Sequence, residues 1–534
     1  MKRNTMLLLL ALLSTVLMSL PFLMKGLGWM ALVGLVPLLC MERVADRTGM
    51  KHFWWWHYGT FVLWNAATTW WIGNATVGGG IFAVLANALQ MSVVFGLFRW
   101  VKRRMGGAVP YIFLAAAWMA WERYYLTVAQ ISWPWLVLGN SFAGTVGLVQ
   151  WYEYTGTLGG SLWVWVSNLA VFGLLVALSD GRWSRWNGKA RSAAVTGIVA
   201  VVFGPMLWSA LLWHWYDETN DPLQVVIAQP NLDPYHKFGG LPQDQQTAIV
   251  LDQFEKGVKG LERPALLLAP ETFTGDIVLN DVPQSKTFRR FRDFTAAHPG
   301  TEILFGASTW EYIYQDGRPS ATARRMGDHA WYESHNSALL VDSTGRYDLF
   351  HKSKLVPGVE MTPYPAVIGR IDDALLGGVA GRCIGQKDID VLHFRADARD
   401  IPVGCAVCYE SVFGEYCTGY VRKGAQLIAV ITNDAWWGNT PGYRQHLEYS
   451  SLRAIETRRD IARCANTGIS ALIDQRGRIV ARTPWWEPAI LTGTVRLNTY
   501  ETFFVRYGDI VGRLAVFVFS LVLLAALVVP RKSA

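Results

Sequence analysis

Two cysteines, Cys405 and Cys408, stand three apart in "IPVGCAVCYESVFGEY", residues 401–416. Such a pair can form a disulfide, bind a metal or include a nucleophile. The apolar run 401–408 reads as a buried strand. Side chains alternate along a strand, so an odd separation turns the two thiols to opposite faces. A disulfide, with its Cβ atoms about 4 Å apart, would require the strand to bend. A zinc site would need a second Cys/His pair at ligand spacing, which Cys417 and Cys464 do not supply. A nucleophile fits better, because Cys408 ends the strand and is followed at once by Tyr409 and Glu410.

A thiol with an ordinary pKa of about 8.5 is mostly protonated at neutral pH and needs a base or a positive charge beside it. Two such partners occupy comparable places. Glu271 closes "PALLLAPE", directly after a buried strand and a proline. "LFHKSKLVP" offers Lys352 and Lys354 on the return strand of a hairpin. Reactive groups in α/β sheets gather outside the carboxyl ends of strands. Alternation does not choose between the two lysines, which share a face.

The elements that must position these groups run from residue 217 onward. Strands are expected at 223–228, 264–269, 302–308, 336–342, 401–408, 425–432 and 469–474. Helical periodicity covers about 243–260, 284–297 and 442–460. "VDSTGRYD" and "DQRGRIV" read as hairpins. Near-continuous apolar strands alternating with helices imply an α/β domain. Trp436 and Trp437, on a loop after a strand, suit either membrane and acyl-chain contact or plain packing.

The rest of the chain is of another kind. Of 534 residues, 51% are hydrophobic and only 17% charged, with a mean hydropathy of +0.20. That excludes an ordinary soluble protein. Eight segments are apolar enough for membrane spans: about 5–23, 26–41, 53–72, 80–98, 110–128, 158–179, 193–213 and 509–530. Tryptophans cluster at their ends, as interfacial rings do. The net charge of +8 does not point to nucleic acid, because the basic residues fall in short clusters between spans. Lys2, Arg3, Arg43, Arg47, Lys51, Arg99, Lys102, Arg103, Arg104, Arg182, Arg185, Lys189, Arg191, Arg531 and Lys532 mark every second connection. The positive-inside rule then puts both termini in the cytoplasm and 214–508 outside it. The first span lacks the A-x-A-like site of a signal peptide. Expected domains are 1–213, a seven-span bundle; 214–508, the α/β domain; and 509–534, a last span and cytoplasmic tail.

"APE" at Glu271, "HKSKLVP" at Lys352 and "CYE" at Cys408 together resemble the nitrilase superfamily, whose Glu, Lys and Cys occur in that order. With eight spans around the domain, and with "NSALLVD", "ITNDAWWG", "QHLEYSSLRAIETRRDIARCANTGIS" and "DQRGRIV", the chain is similar to the superfamily's membrane branch, the apolipoprotein N-acyltransferases. The resemblance implies an αββα sandwich, and the spacing K-x-x-L-V-P selects Lys352. It implies a base at Glu271, an oxyanion stabiliser at Lys352, a nucleophile at Cys408, and supporting roles for Phe238, Glu360, Tyr409 (whose backbone N–H is a second oxyanion donor) and Glu410. Trp436 is grouped with these supporting residues. A phospholipid acyl donor and a diacylglyceryl-modified apolipoprotein acceptor follow, with a thioester between them. The enzyme would be monomeric, in the bacterial inner membrane with its catalytic domain in the periplasm, and would use no cofactor or metal. "LVPGVE" departs from the family's usual L-V-P-F-G-E. A membrane-tethered amidase and a transporter with a catalytically dead sensor domain are the alternatives.

Overall fold

The computed structural model describes residues 3–233, 240–261, 264–320, 322–364, 383–396 and 398–529. Phe238, Lys2, Arg531 and Lys532 lie outside these. The chain forms two compact units. One takes in residues up to Ala129, Trp133–Tyr216 and the chain from Tyr507 on; the other takes in Gln130–Ser132 and Asp217–Arg506.

The first unit is helical. Among the described residues, six helices are long and apolar enough to cross a membrane: Arg3–Leu23, Gly28–Arg47, Val77–Lys102, Tyr152–Ser179, Gly188–Trp215 and Ile510–Val528. The other two expected spans fall on helices Trp54–Thr69 and Val109–Thr127. The first of these, at 16 residues, rises only about 24 Å. Polar groups inside the unit pair with one another, as an apolar solvent requires. Asn87 Nδ2 donates to Asn65 Oδ1 at 2.7 Å. The short second span is interrupted at Leu35, and Asn168 Oδ1 accepts the Leu35 and Val36 N–H groups at 2.7 and 3.0 Å. "ISWPWLVLGN", between the expected spans 110–128 and 158–179, forms 3₁₀ turns with buried Trp135, Leu136 and Leu138. Glu122 explains it, accepting the Leu138 N–H at 2.8 Å.

The second unit holds two sheets. Its strands are β1 (Pro222–Gln229), β2 (Ala265–Leu268), β3 (Thr274–Val278), β4 (Thr301–Tyr314), β5 (Arg324–Arg325), β6 (Ala330–Val341), β7 (Tyr347–His351), β8 (Leu392–Ala396), β9 (Arg399–Val407), β10 (Leu427–Thr432), β11 (Ile461–Ala465), β12 (Ala471–Ile473), β13 (Ile479–Arg482) and β14 (Ala489–Arg496). One sheet runs β14-β1-β2-β4-β6-β5, with β3 on β4 and β7 on β6; the other runs β13-β12-β11-β10-β9-β8. In β1, Leu223, Val225 and Ile227 enter the core shared with β9, β10 and β11, while Val226 and Ala228 face Val250, Phe254 and Phe291 on helices Gln243–Val258 and Lys286–Ala297. Period-2 alternation thus divides one strand between two cores. Each buried Phe in the outer layer contributes about 2 kcal/mol. Helices Gly414–Arg422 and Pro441–Thr457 belong to the half of the chain that forms the second sheet, and the whole is an αββα sandwich.

β11 was hidden in the sequence. "IARCA" carries an arginine and follows the helical run without a turn signal, so its five residues were not expected as a strand. β3, β5, β8 and β14 are likewise absent from the expected strands. Sandwiched between parallel β10 and antiparallel β12, β11 is fully buried. Cys464 lies in it, with Sγ against the Ala228 and Leu268 carbonyls of the other sheet.

Candidate active site

β2 and β4 are parallel, and β7 runs with them because both β4 and β7 are antiparallel to β6. The chain therefore leaves β2 and β7 at the same edge. Glu271 lies just beyond β2. Gly306 admits its loop: a Cβ at Gly306 would stand 2.5 Å from the Glu271 Cα and 2.8 Å from the Pro270 carbonyl. Lys352 lies one residue past β7, its N–H donating to the Asn336 carbonyl at 2.8 Å.

Lys352 is 1% exposed, with Nζ 3.1 Å from Glu271 Oε1 and 2.9 Å from Glu360 Oε1. Burial alone would destabilise the ammonium, but the Glu271 and Glu360 carboxylates outweigh it and hold its pKa well above the ordinary lysine value. Lys354 has another setting, over the Phe413 and Tyr416 rings at 5.5 and 5.8 Å. Strand alternation did not separate the lysines because β7 stops at His351. Glu360 also accepts the Val356 N–H at 2.7 Å, closing its own loop.

Asn336, inside the "NSALLVD" stretch, was given no role from sequence. Its Nδ2 donates to Glu271 Oε1 at 2.8 Å and to Glu360 Oε1 at 2.7 Å. The Asn433 N–H donates to Glu271 Oε2 at 3.1 Å. Among the described residues these are three donors, counting Lys352, on a carboxylate with about four acceptor sites. One site is left on Oε2 for a proton.

β9 ends at Val407, one residue earlier than expected, and Cys408 opens a 3₁₀ turn, Cys408–Val412. Cys408 has φ 52°, left-handed and sparsely populated for a residue with a Cβ. Such a pose costs about 1–2 kcal/mol and needs holding. Glu410 supplies part of that hold. Its Oε2 accepts the Val407 N–H at 2.8 Å, and its Oε1 accepts the Ser353 N–H at 2.6 Å, the Lys354 N–H at 3.1 Å and the Tyr416 hydroxyl at 2.8 Å. One buried carboxylate ties the cysteine turn to the lysine loop. Burial raises its pKa, and those hydrogen bonds oppose the rise.

Burial, with the neighbouring Glu271 charge, pushes the Cys408 thiol well above its usual value, while Lys352 pulls the other way. A thiol raised in this way needs a base beside it before it can act as a nucleophile. Cys405 is 1% exposed in the core between the sheets. None of the six cysteines, all among the described residues, is in a disulfide.

Tyr409 is buried and donates its hydroxyl to the Ser132 carbonyl at 2.9 Å. Trp436 is exposed, whereas Trp437 packs its ring edge-on to His446 at 5.5 Å. Asp434, His446 and Arg463 form a buried cluster beside Cys408. The sequence offered them only as parts of family stretches, and no local spacing predicts that they meet. Cys408 Sγ and ligand atoms of Asp434 and His446 lie within 4.8 Å of one another, a span that a metal ion could bridge. The Asp434 oxygens already accept from Thr432 Oγ1 and Arg463 Nη2.

Residues 14–170 match the apolipoprotein N-acyltransferase N-terminal domain and residues 295–503 the carbon-nitrogen hydrolase family. The chain is 29% identical to the apolipoprotein N-acyltransferase of Chlorobaculum tepidum over 516 residues, 95% of this chain and 93% of that protein. It is 28% identical to that of Geobacter metallireducens, covering 98% and 96%. It belongs to the apolipoprotein N-acyltransferase family. The hydrolase match takes in Lys352, Glu360, Cys408, Tyr409, Glu410 and Trp436, while Glu271 lies before it. Membership in this family and the apolar helices make the chain a membrane protein of the nitrilase superfamily.

Proposed function

We propose that the protein is a phospholipid:apolipoprotein N-acyltransferase working through a thioester on Cys408. Glu271 takes the thiol proton as sulfur attacks the sn-1 ester carbonyl of a phospholipid. Lys352 Nζ and the Tyr409 N–H stabilise the tetrahedral oxyanion. Collapse expels the lysophospholipid, which takes the proton from Glu271, and leaves the acyl group on sulfur. The free α-amino group of a diacylglyceryl-cysteine then attacks the thioester and gives up a proton to Glu271. The second tetrahedral intermediate releases an amide, and Cys408 recovers its proton. Two half-reactions on one nucleophile make the kinetics ping-pong.

The observation carrying this reading is the Lys352 ammonium held between Glu271 and Glu360, beside the thiol of Cys408, in a chain related to named N-acyltransferases over nearly its whole length. The alternation of basic connections supports an inner-membrane location with Asp217–Arg506 in the periplasm.

Mass spectrometry tests the reaction. Protein mixed with phospholipid alone is expected to gain one acyl chain on Cys408 and stall. A diacylglyceryl peptide with a free N-terminus discharges it, and an N-blocked peptide does not. Steady release of fatty acid without an amine would make the protein a hydrolase.

A further inference from the structure

The Cys408 backbone is held by side chains to which the proposed reaction assigns no step. His446 Nε2 lies 3.0 Å from the Cys408 carbonyl oxygen. A carbonyl oxygen accepts, so Nε2 is the donor. Ser411 Oγ donates to the same oxygen at 2.7 Å and lies 3.0 Å from Nε2. Two turns along the same helix, Arg453 Nη1 grips the Ser411 and Val412 carbonyls at 3.3 and 2.6 Å. Helix Pro441–Thr457 thus holds the turn's carbonyls at both ends.

The imidazole is itself held. His446 is fully buried; with Nε2 the donor, Nδ1 accepts from Arg463 Nη2 at 3.1 Å and lies 2.9 Å from Asp434 Oδ1. Arg463 Nη2 donates to Asp434 Oδ2 at 2.6 Å and Thr432 Oγ1 to Asp434 Oδ1 at 2.8 Å. These residues span β10, the turn after it, the helix and β11. They make a rigid chain whose last member is the Cys408 carbonyl.

A peptide bond is planar, and in the trans form its C=O and N–H point to opposite sides. Every described peptide bond here is trans. Fixing the Cys408 carbonyl therefore fixes the direction of the Tyr409 N–H. Rotation about ψ of Cys408 would swing both, and the left-handed φ of 52° leaves that residue under strain to relax.

We propose that His446 is a positioning residue for oxyanion stabilisation: by holding the Cys408 carbonyl it aims the Tyr409 N–H at the oxygen that becomes negative when Cys408 attacks the acyl ester. This rests on the reading of Cys408 as nucleophile and of the Tyr409 N–H as an oxyanion donor. Asp434 and Arg463 act through His446. The imidazole is not the base for the thiol, because its Nε2 is engaged by the backbone.

Two reactions at one sulfur separate the possibilities. Acylation of Cys408 by phospholipid passes through an oxyanion; alkylation by iodoacetamide does not. Both rates are to be measured on full-length wild-type, His446→Ala and His446→Gln proteins, by mass spectrometry. In His446→Ala, acylation is expected to fall about 10²-fold, the cost of losing one oxyanion donor, while alkylation keeps its wild-type rate and so reports an intact pocket. Glutamine reaches about as far as Nε2 with an amide N–H, and His446→Gln recovers most of the loss. Undiminished acylation in His446→Ala overturns the proposal. So does alkylation that falls in step with acylation, or a Gln variant no better than Ala. A wild-type protein that alkylates but never acylates overturns the nucleophile reading, and this proposal with it.

Discussion

Lys352 Nζ lies 3.1 Å from Glu271 Oε1 inside the sandwich, with the two side chains 1% and 8% exposed. A buried ion pair broken on one side leaves an uncompensated charge and costs about 3–5 kcal/mol. Glu271→Gln keeps the shape and an acceptor for Asn336 but removes the base. Acyl-enzyme formation should drop by about 10²–10⁴-fold, with the protein still folded on Glu360. Lys352→Met should lose both activity and several degrees of melting temperature. A Glu271→Gln protein that forms thioester at the wild-type rate would remove Glu271 from the mechanism.

Cys408 and Cys405 part company in the structure, one at a strained turn and the other in the core. Cys408→Ser should abolish transfer at normal abundance. Cys405→Ser puts a hydroxyl into an apolar site and should cost about 1–3 kcal/mol of stability while leaving the per-molecule rate near normal. The check is turnover normalised to folded protein; a dead Cys405→Ser enzyme of normal abundance would reverse the assignment.

Glu410 joins the Val407 and Ser353 N–H groups. In Glu410→Gln one carboxylate oxygen becomes an NH₂ that faces donors. A loss of about 2–4 kcal/mol is expected, and Lys352 and Cys408 lose their common anchor. Transfer should fall together with stability, and a thermally normal, fully active variant would contradict the clamp.

Two carboxyls of the α/β unit carry a pH signature. Burial pushes Glu302 and Asp460 each up to about 7. Between the ordinary carboxylate range and about pH 7 the folded state keeps protons that the unfolded chain has released. Stability should therefore decline as pH rises through that window and level off above it. Glu302→Gln, which still accepts the Arg395 N–H, should behave like wild type near pH 4.5. By pH 8 it should be more stable, by on the order of 2–3 kcal/mol. Parallel melting curves for the two proteins across pH 4.5–8 would refute this.

The proposed topology places Arg104 and Asp217 on opposite sides of the membrane. A reporter fused after Asp217 should read extracytoplasmic and one after Arg104 cytoplasmic. The reverse pattern at either site means a miscounted span.

Local pattern was enough to divide the chain into an apolar helical part and an α/β part, and to find seven strands near their true places. Hydrophobic period and length are written into short windows, and burial on both faces makes a strand a continuous apolar run. Cys408, Lys352 and Glu360 stood out because short motifs surround them. Alternation leaves Lys352 and Lys354 tied and only the family spacing names Lys352; the physical reason lies in the fold, since β7 ends before either and the packing turns the Lys352 ammonium toward Glu271. Asn336, Asp434, His446 and Arg463 were illegible as a group. They come from β6, the turn after β10, a helix and β11, and no spacing in one dimension reports that these elements bring them near Cys408 and Glu271. The left-handed backbone of Cys408 is a tertiary decision as well. Nothing in "CYE" favours it, and it persists because Glu410, Ser411, His446 and Arg453 hold the turn on several sides.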